Sequence, residues 1–210
     1  MRASPAARRV LASGVRDPVQ RYTLWQRVAD PAQLAALLRT AAQPALQGPA
    51  LSDKHHSFDQ FAYLDATTRL IDFINFEVDR MSMSNSVEAR PPFLDHRLWE
   101  YCAALPPEVK LNASGNKLLL RIGMKDRLPD AVRRQPKLGL ATPHAEWWRA
   151  DSLPAWAEDC LCPPALTETG YFNVGEVARL REAHRAGRLD ASRVLMGVLT
   201  TQLWHASFIQ

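Results

Sequence analysis

A helical repeat that runs straight into a double proline is the tightest constraint in this chain. From Phe58 to Val78 the apolar residues Phe61, Leu64, Ile71, Ile74 and Val78 recur three and four residues apart, with Thr67 or Thr68 filling one turn. That spacing puts them on one face of a long helix. Phe73 and Phe76 widen the face, which predicts burial on more than one side. The helix feeds the stretch Asp79–Asp95, where Asp79, Arg80, Glu88, Arg90 and Asp95 alternate with Met81, Met83, Val87, Phe93 and Leu94. Such a mixture predicts a half-buried segment with paired charges, because an unpaired buried charge is very costly. Pro91-Pro92 stiffens the exit and biases Arg90 away from helix, so Glu88 is expected near a helix end or on a loop, facing something polar. On the residues alone, a structural salt-bridge cluster at a tight turn competes with a functional reading.

The rest of the chain also reads as helical. Asp30-Pro31 is an N-cap and first-position pair before Leu34, Leu37 and Leu38. Residues 43–54 read as a linker loop, and residues 1–20 as a basic loop or irregular helix. Leu94, Leu98, Cys102 and Leu105 line a helix that Pro106-Pro107 stops. Lys117 to about Lys125 forms another, with Leu118, Leu119 and Ile122 inward. Lys117 and Arg121 share a face there and repel slightly unless an anion or carboxylate lies opposite. Residues 133–143 have the composition of an ordered loop, with Arg133, Arg134 and Lys137 between prolines. A lysine in such a loop can clamp a leaving phosphate or be an ordinary surface lysine. Trp147-Trp148 reads as packed. Asn173 caps a helix with Val174, Val177 and Leu180 inward, and Asp190 or Ser192 starts a last one, with Val194, Leu195, Val198, Leu199 and Trp204 on its face. The expected fold class is mainly α.

Composition bounds the function. The chain has 210 residues, a net charge of +4 and 47% hydrophobic residues, enough for a real core. Its basic residues form no dense stripe with interleaved aromatics, which argues against nucleic acid. No apolar run reaches membrane-spanning length. Cys102 reads as core, and Cys160 and Cys162 form one Cys-x-Cys pair without a second, which argues against zinc. The odd cysteine count and the lack of a secretory leader point to the cytoplasm. His55-His56 with Asp59 matches no usual metal spacing, so no metal site is expected in this chain.

Several landmarks together resemble one family. Asp79-Arg80-x-Ser82-Met83 is followed by Glu88-x-Arg90-x-Pro92-Phe93-Leu94-Asp95, then Leu105-Pro106-Pro107-x-x-Lys110, Lys117-x-x-Leu120-Arg121, Leu128-Pro129 and Arg134-Gln135-Pro136-Lys137-Leu138-Gly139. Their order and spacing closely resemble the asparagine synthetase family, over roughly residues 58–208. The resemblance implies the helical C-terminal half of an adenine-nucleotide α-hydrolase-like (PP-loop, α/β) synthetase domain, covering 58–210 after an N-terminal segment 1–57. Relatives of this kind, which include β-lactam synthetases and lasso-peptide cyclases, activate a carboxylate as an acyl-adenylate with ATP and Mg2+. A nitrogen nucleophile then releases AMP. Carried over by position, Glu88 matches the family's active-site glutamate and Lys137 the lysine that contacts pyrophosphate. Arg80, Arg90, Asp95, Lys117 and Arg121 match family positions for substrate binding or structural pairing.

The departures shape the expectation as much. The sequence contains no Ser-Gly-Gly-x-Asp-Ser phosphate loop and no glycine-rich Asp-Glu segment for magnesium, and Arg2 stands where a glutaminase domain has its catalytic cysteine. Glu77 stands where many relatives have lysine. The resemblance therefore implies a partner: an upstream polypeptide carrying the PP-loop, with or without a glutaminase domain. A small-molecule carboxylate is the implied substrate. An inactive helical binding or scaffold module, a truncated remnant, and a natural-product amide ligase or cyclase are the alternatives.

Overall fold

The structure, a computed structural model, describes residues 14, 17–40, 56–111, 115–136, 142–150 and 153–209. The linker expected over 43–54, His55 and Lys137 all lie outside the described residues. The fold is mainly helical. Among the described residues there is no strand, and Leu38 and Phe172 form an isolated antiparallel bridge. The chain divides into two compact units. A central unit takes Met1–Trp25 and Leu46–Gly139, and a C-terminal unit takes Gln26–Ala45 and Leu140–Gln210.

In the central unit the expected long helix is interrupted. An α-helix covers Ser57–Thr67, a π-helical segment Leu70–Asn75, and a second α-helix Phe76–Met83. Thr67 and Thr68 mark the break: their hydroxyls donate to the carbonyls of Tyr63 and Leu64, at 2.8 and 2.6 Å. Threonine back-bonding of this kind competes with the helix ladder, and Thr68 leaves helical geometry at φ −120°, ψ −83°. A π turn inserts a residue and so rotates everything downstream by about 100°. The periodicity that puts Leu64 in the interior therefore no longer applies past residue 70. Leu64 is buried, whereas Ile71, Phe73, Phe76 and Val78 are exposed.

What holds this unit is a small set of contacts. The Tyr22 hydroxyl, on the Pro18–Gln26 helix, donates to Asp65 Oδ1 at 2.9 Å. Trp25 stacks on Phe61 with ring centroids 5.0 Å apart. Lys110, at the end of the Pro107–Lys110 helix, donates to Asp59 Oδ1 at 3.1 Å and lies 5.5 Å over the Phe58 ring. Further α-helices among the described residues of the unit are His96–Ala104, Leu118–Gly123 and Asp130–Arg133. Ile122, expected inward, is exposed, as is Leu98 of the aligned apolar set, and Cys102, expected in the core, is half-buried.

The C-terminal unit has a closed core. Its first helix, Pro31–Leu37, is capped as its sequence predicts: Asp30 accepts from the Gln33 amide at 2.8 Å, with Pro31 at the first position. The Leu37 carbonyl accepts from the Asn173 amide at 2.8 Å, tying this helix to the start of Val174–Arg185. Asn173 in turn caps that helix through the Glu176 amide at 3.2 Å. Ala155–Leu161, Pro163–Thr169, Val174–Arg185 and Ser192–Phe208 enclose Leu161, Leu166, Val177, Leu180, Leu195 and Val198. Each fully buried leucine contributes about 1.5–3 kcal/mol. Trp148 joins the core as expected, but its neighbour Trp147 and the late Trp204 are exposed. Two polar groups inside are fully paired. His184 Nε2 lies 2.8 Å from the Ala145 carbonyl while its Nδ1 accepts from the Ala191 amide at 3.1 Å. Gln202 accepts from Thr169 at 2.8 Å and donates to the Cys160 carbonyl at 3.2 Å.

Candidate functional site

The stretch Asp79–Asp95 folds into a turn that presents Glu88. The Phe76–Met83 helix ends in a Schellman arrangement, with Val87 N–H to Ser82 O at 3.0 Å and Ser86 N–H to Met83 O at 2.9 Å. That ending needs a left-handed residue, and Ser86 supplies it at φ 58°, without the freedom a glycine would bring. Glu88 follows two residues later in open coil, and Pro92–Leu94 then makes one 3₁₀ turn. The expectation that Glu88 lies on a loop beyond a helix end holds.

The expectation of half-burial does not hold. Charges in this stretch are paired, but at the surface. Arg90 grips Glu88 with both ends of its guanidinium, Nε to Oε1 at 2.9 Å and a terminal nitrogen to Oε2 at 3.0 Å. Met81, Met83, Val87 and Phe93 are all exposed beside them. Burial needs a second surface, and the described residues of this unit bring none to that face.

Glu88 and Arg90 border an open concavity of about 860 Å³ that also takes in Asn75, Asp79, Leu94 and Asp95. Asn75 and Asp79 are not singled out by the sequence reading as site residues. Their four-residue spacing, which puts them on one helix face, is the signal that could find them. Asp95 caps the His96–Ala104 helix through the Arg97 amide at 2.9 Å, and the Arg97 side chain binds both its oxygens. The Arg97 guanidinium holds the Asp95 carboxyl below the usual carboxylate range.

Arg80, Lys117 and Arg121 do not line this concavity. Arg80 lies with its guanidinium 5.2 Å over the Phe76 ring. Lys117 is exposed, at φ 58°, just before the Leu118–Gly123 helix. Arg121 meets backbone carbonyls rather than a carboxylate. Its Nε donates to Asn116 O at 3.0 Å and its terminal nitrogens to Arg133 O and to Gln135 O, the latter at 2.8 Å.

The residues present do not fit a nucleotide or its metal by themselves. No two glycines are adjacent anywhere in the sequence, so it offers no glycine-rich phosphate cradle of the usual kind. Among the described residues no group of three or more His, Cys, Asp or Glu side chains is placed to hold a metal ion. Glu88 and Asp95 each already carry an arginine. What the concavity can do is orient a polar substrate. Arg90 takes one lone pair of each Glu88 oxygen, and the others remain free to accept a proton or an N–H. Among the described residues no helix is long and apolar enough to cross a membrane.

Comparison with known proteins agrees with the motifs. The family model described as asparagine synthase matches residues 2–206, which extends the resemblance upstream of residue 58. A Mycobacterium tuberculosis protein provisionally named a glutamine-hydrolyzing asparagine synthetase is 33% identical over 149 residues, covering 70% of this chain and 22% of that protein. Asparagine synthetase (glutamine-hydrolyzing) 1 of Bacillus subtilis is 29% identical over 159 residues, covering 76% of this chain and 25% of its own length. The glutamine-hydrolyzing asparagine synthetase of Mesocricetus auratus is 30% identical over 130 residues, covering 53% of this chain and 22% of its own. The chain thus spans about a quarter or less of the curated relatives it matches. No solved structure matches it significantly. With its family match running almost from end to end, and Glu88 and Arg90 of the family motif set together at an open concavity, the chain belongs to the asparagine synthase family.

Proposed function

We propose that this chain supplies the helical part of an asparagine synthetase-type ligase. In that reaction a substrate carboxylate oxygen attacks the α-phosphorus of ATP, the bond to the β-phosphate oxygen breaks, and pyrophosphate leaves. Ammonia or an amine then attacks the acyl carbon, a C–N bond forms, the bond to AMP breaks and the nitrogen loses a proton. ATP and Mg2+ are held by a PP-loop contributed from elsewhere, by another segment of the protein or by a second polypeptide. Glu88 orients or accepts a proton from the nucleophile at the concavity. Lys137 neutralises charge that develops on the leaving pyrophosphate. Aspartate is the carboxylate to test first, because the relatives carry the name asparagine synthetase.

The observation that carries this reading, beyond family membership, is the state of the central unit. Its family motifs sit on an apolar surface that is largely open: Ile71, Phe73, Phe76, Met81, Phe93 and Ile122 are all more than half exposed. Apolar area on this scale marks a surface that another polypeptide segment covers. It supports a ligase part over a free-standing scaffold module, which needs no such surface.

The test is ATP–pyrophosphate exchange with aspartate, run on this chain together with a polypeptide carrying the PP-loop. The two together exchange and neither does alone. Lys137→Ala lowers the exchange rate by about 100-fold or more. An exchange rate unchanged by that substitution removes the ligase reading.

A further inference from the structure

We infer that Arg90 is a specificity-determining residue, whose free guanidinium edge receives a second carboxylate of the substrate, one that takes no part in the reaction. The inference rests on the ligase reading above and deepens it: the substrate class is a dicarboxylate. A guanidinium carries five N–H donors in a planar fork. Glu88 engages one on Nε, at 2.9 Å, and one on a terminal nitrogen, at 3.0 Å. Five less two leaves three, on the two terminal nitrogens, and these form an edge that matches a carboxylate with two parallel hydrogen bonds. Among the described residues nothing else bonds to the Arg90 guanidinium, and its side chain is 81% exposed.

Charge leaves an incoming carboxylate no other seat. The described residues that line the concavity bring three carboxylates, Asp79, Glu88 and Asp95, and Arg90 is the cation among them. Arg97 is spent on both oxygens of Asp95. A substrate carboxylate is therefore repelled along most of the wall and attracted at one point. At that point it lies beside Glu88, because one planar group holds both. A substrate anchored by a carboxylate that does not react presents its other end at a set place relative to the Glu88 lone pairs that still accept. A lysine at 90 keeps the charge as a single ammonium and cannot hold two carboxylates in one plane, and a glutamine keeps neither charge nor fork.

The experiment measures ATP–pyrophosphate exchange by this chain assembled with the PP-loop polypeptide. It compares aspartate with β-alanine, which is aspartate without its α-carboxylate. The wild type is expected to favour aspartate by about 100-fold in kcat/KM. Arg90→Gln is expected to bring that preference below about 5-fold, by raising KM for aspartate, and to leave β-alanine nearly as it was. Arg90→Lys is expected to fall between, at about 10-fold. A pairing role confined to Glu88 would slow both substrates alike and leave the ratio untouched. One readout needs no variant: succinate, with two carboxylates, should compete with aspartate, and butyrate, with one, should not. An unchanged ratio in Arg90→Gln, a wild type indifferent to the α-carboxylate, or inhibition by butyrate equal to that by succinate overturns the inference and leaves the ligase reading standing. Absence of exchange with any carboxylate overturns both.

Discussion

Leu195 and Ile122 are both aliphatic residues on helices of this chain, yet Leu195 is fully sealed and Ile122 is 68% exposed. The difference runs through the two units to which they belong. In the C-terminal unit, Leu166, Val177, Leu180, Leu195 and Val198 close on one another, and even His184 and Gln202 are buried with every polar atom engaged. In the central unit, among the described residues, Tyr22 and Leu64 are the buried hydrophobic side chains, while apolar residues from Ile71 to Val132 face outward. Both units are rich in apolar residues. The unit that holds the family motifs leaves its apolar surface open, and the other unit closes a core.

The largest consequence is mechanical. Leu195→Ala should cost the C-terminal unit about 2–5 kcal/mol, through lost transfer energy and a cavity among fixed neighbours. Ile122→Ala in the central unit should stay within about 0.5 kcal/mol. Urea denaturation measures both, and equal costs would break the comparison.

A smaller effect comes from acid. Burial pushes the Glu158 carboxyl up, but the Arg181 hydrogen bonds, the Leu153 amide and the charges of Arg181 and Arg185 outweigh it and leave the group below its ordinary value. Glu176 is lowered by Arg179, and Asp190 by Ser192. Carboxylates depressed in the folded state stabilise it above their unfolded pKa, and that stability is lost as pH falls through the folded value. The C-terminal unit should therefore weaken as pH drops below about 4, the ordinary carboxylate range. Glu158→Gln should remove about 1 kcal/mol or less of that acid dependence, since the pair is partly solvent-screened. An unchanged slope of stability against pH in the variant would show that this ion pair adds nothing.

The smallest expected change in stability is the most informative about the surface. Met81→Ser, on the open side of the Phe76–Met83 helix, should cost only about 0.5 kcal/mol, from helix propensity. It should nevertheless reduce binding of a hydrophobic dye and, on the proposed ligase reading, weaken assembly with a polypeptide that carries the PP-loop. Undiminished assembly would sharpen the interface toward other residues of that face.

Much of this was legible beforehand, and the failures share a cause. Asp30, Asn173 and the Val177–Leu180–Leu195–Val198 set were legible because caps and a 3.6-residue repeat report on a local ladder and a closed core. The Pro18–Gln26 helix was missed although Asp17-Pro18 carries the same signature as Asp30-Pro31, with Asp17 Oδ1 accepting from Val19 N at 3.0 Å. Pro163–Thr169 was missed too, although Cys162-Pro163 opens it and Gly170 closes it in the left-handed region. Past Thr68 the periodic reading failed for a different reason. A π insertion changes which face is inside, and nothing in hydropathy spacing announces it.

By itself the sequence determined the helical class, the caps at Asp30 and Asn173, the turn that presents Glu88 and the family to which the chain belongs. Each of these rests on local chemistry or on residues at fixed offsets. Tertiary structure alone decided which apolar faces are closed, that Glu88 and Arg90 pair at the surface, and that Arg121 spends its donors on carbonyls 133 and 135. Burial and pairing between distant residues depend on what packs opposite, and a one-dimensional pattern records only what a residue could contribute to such a contact.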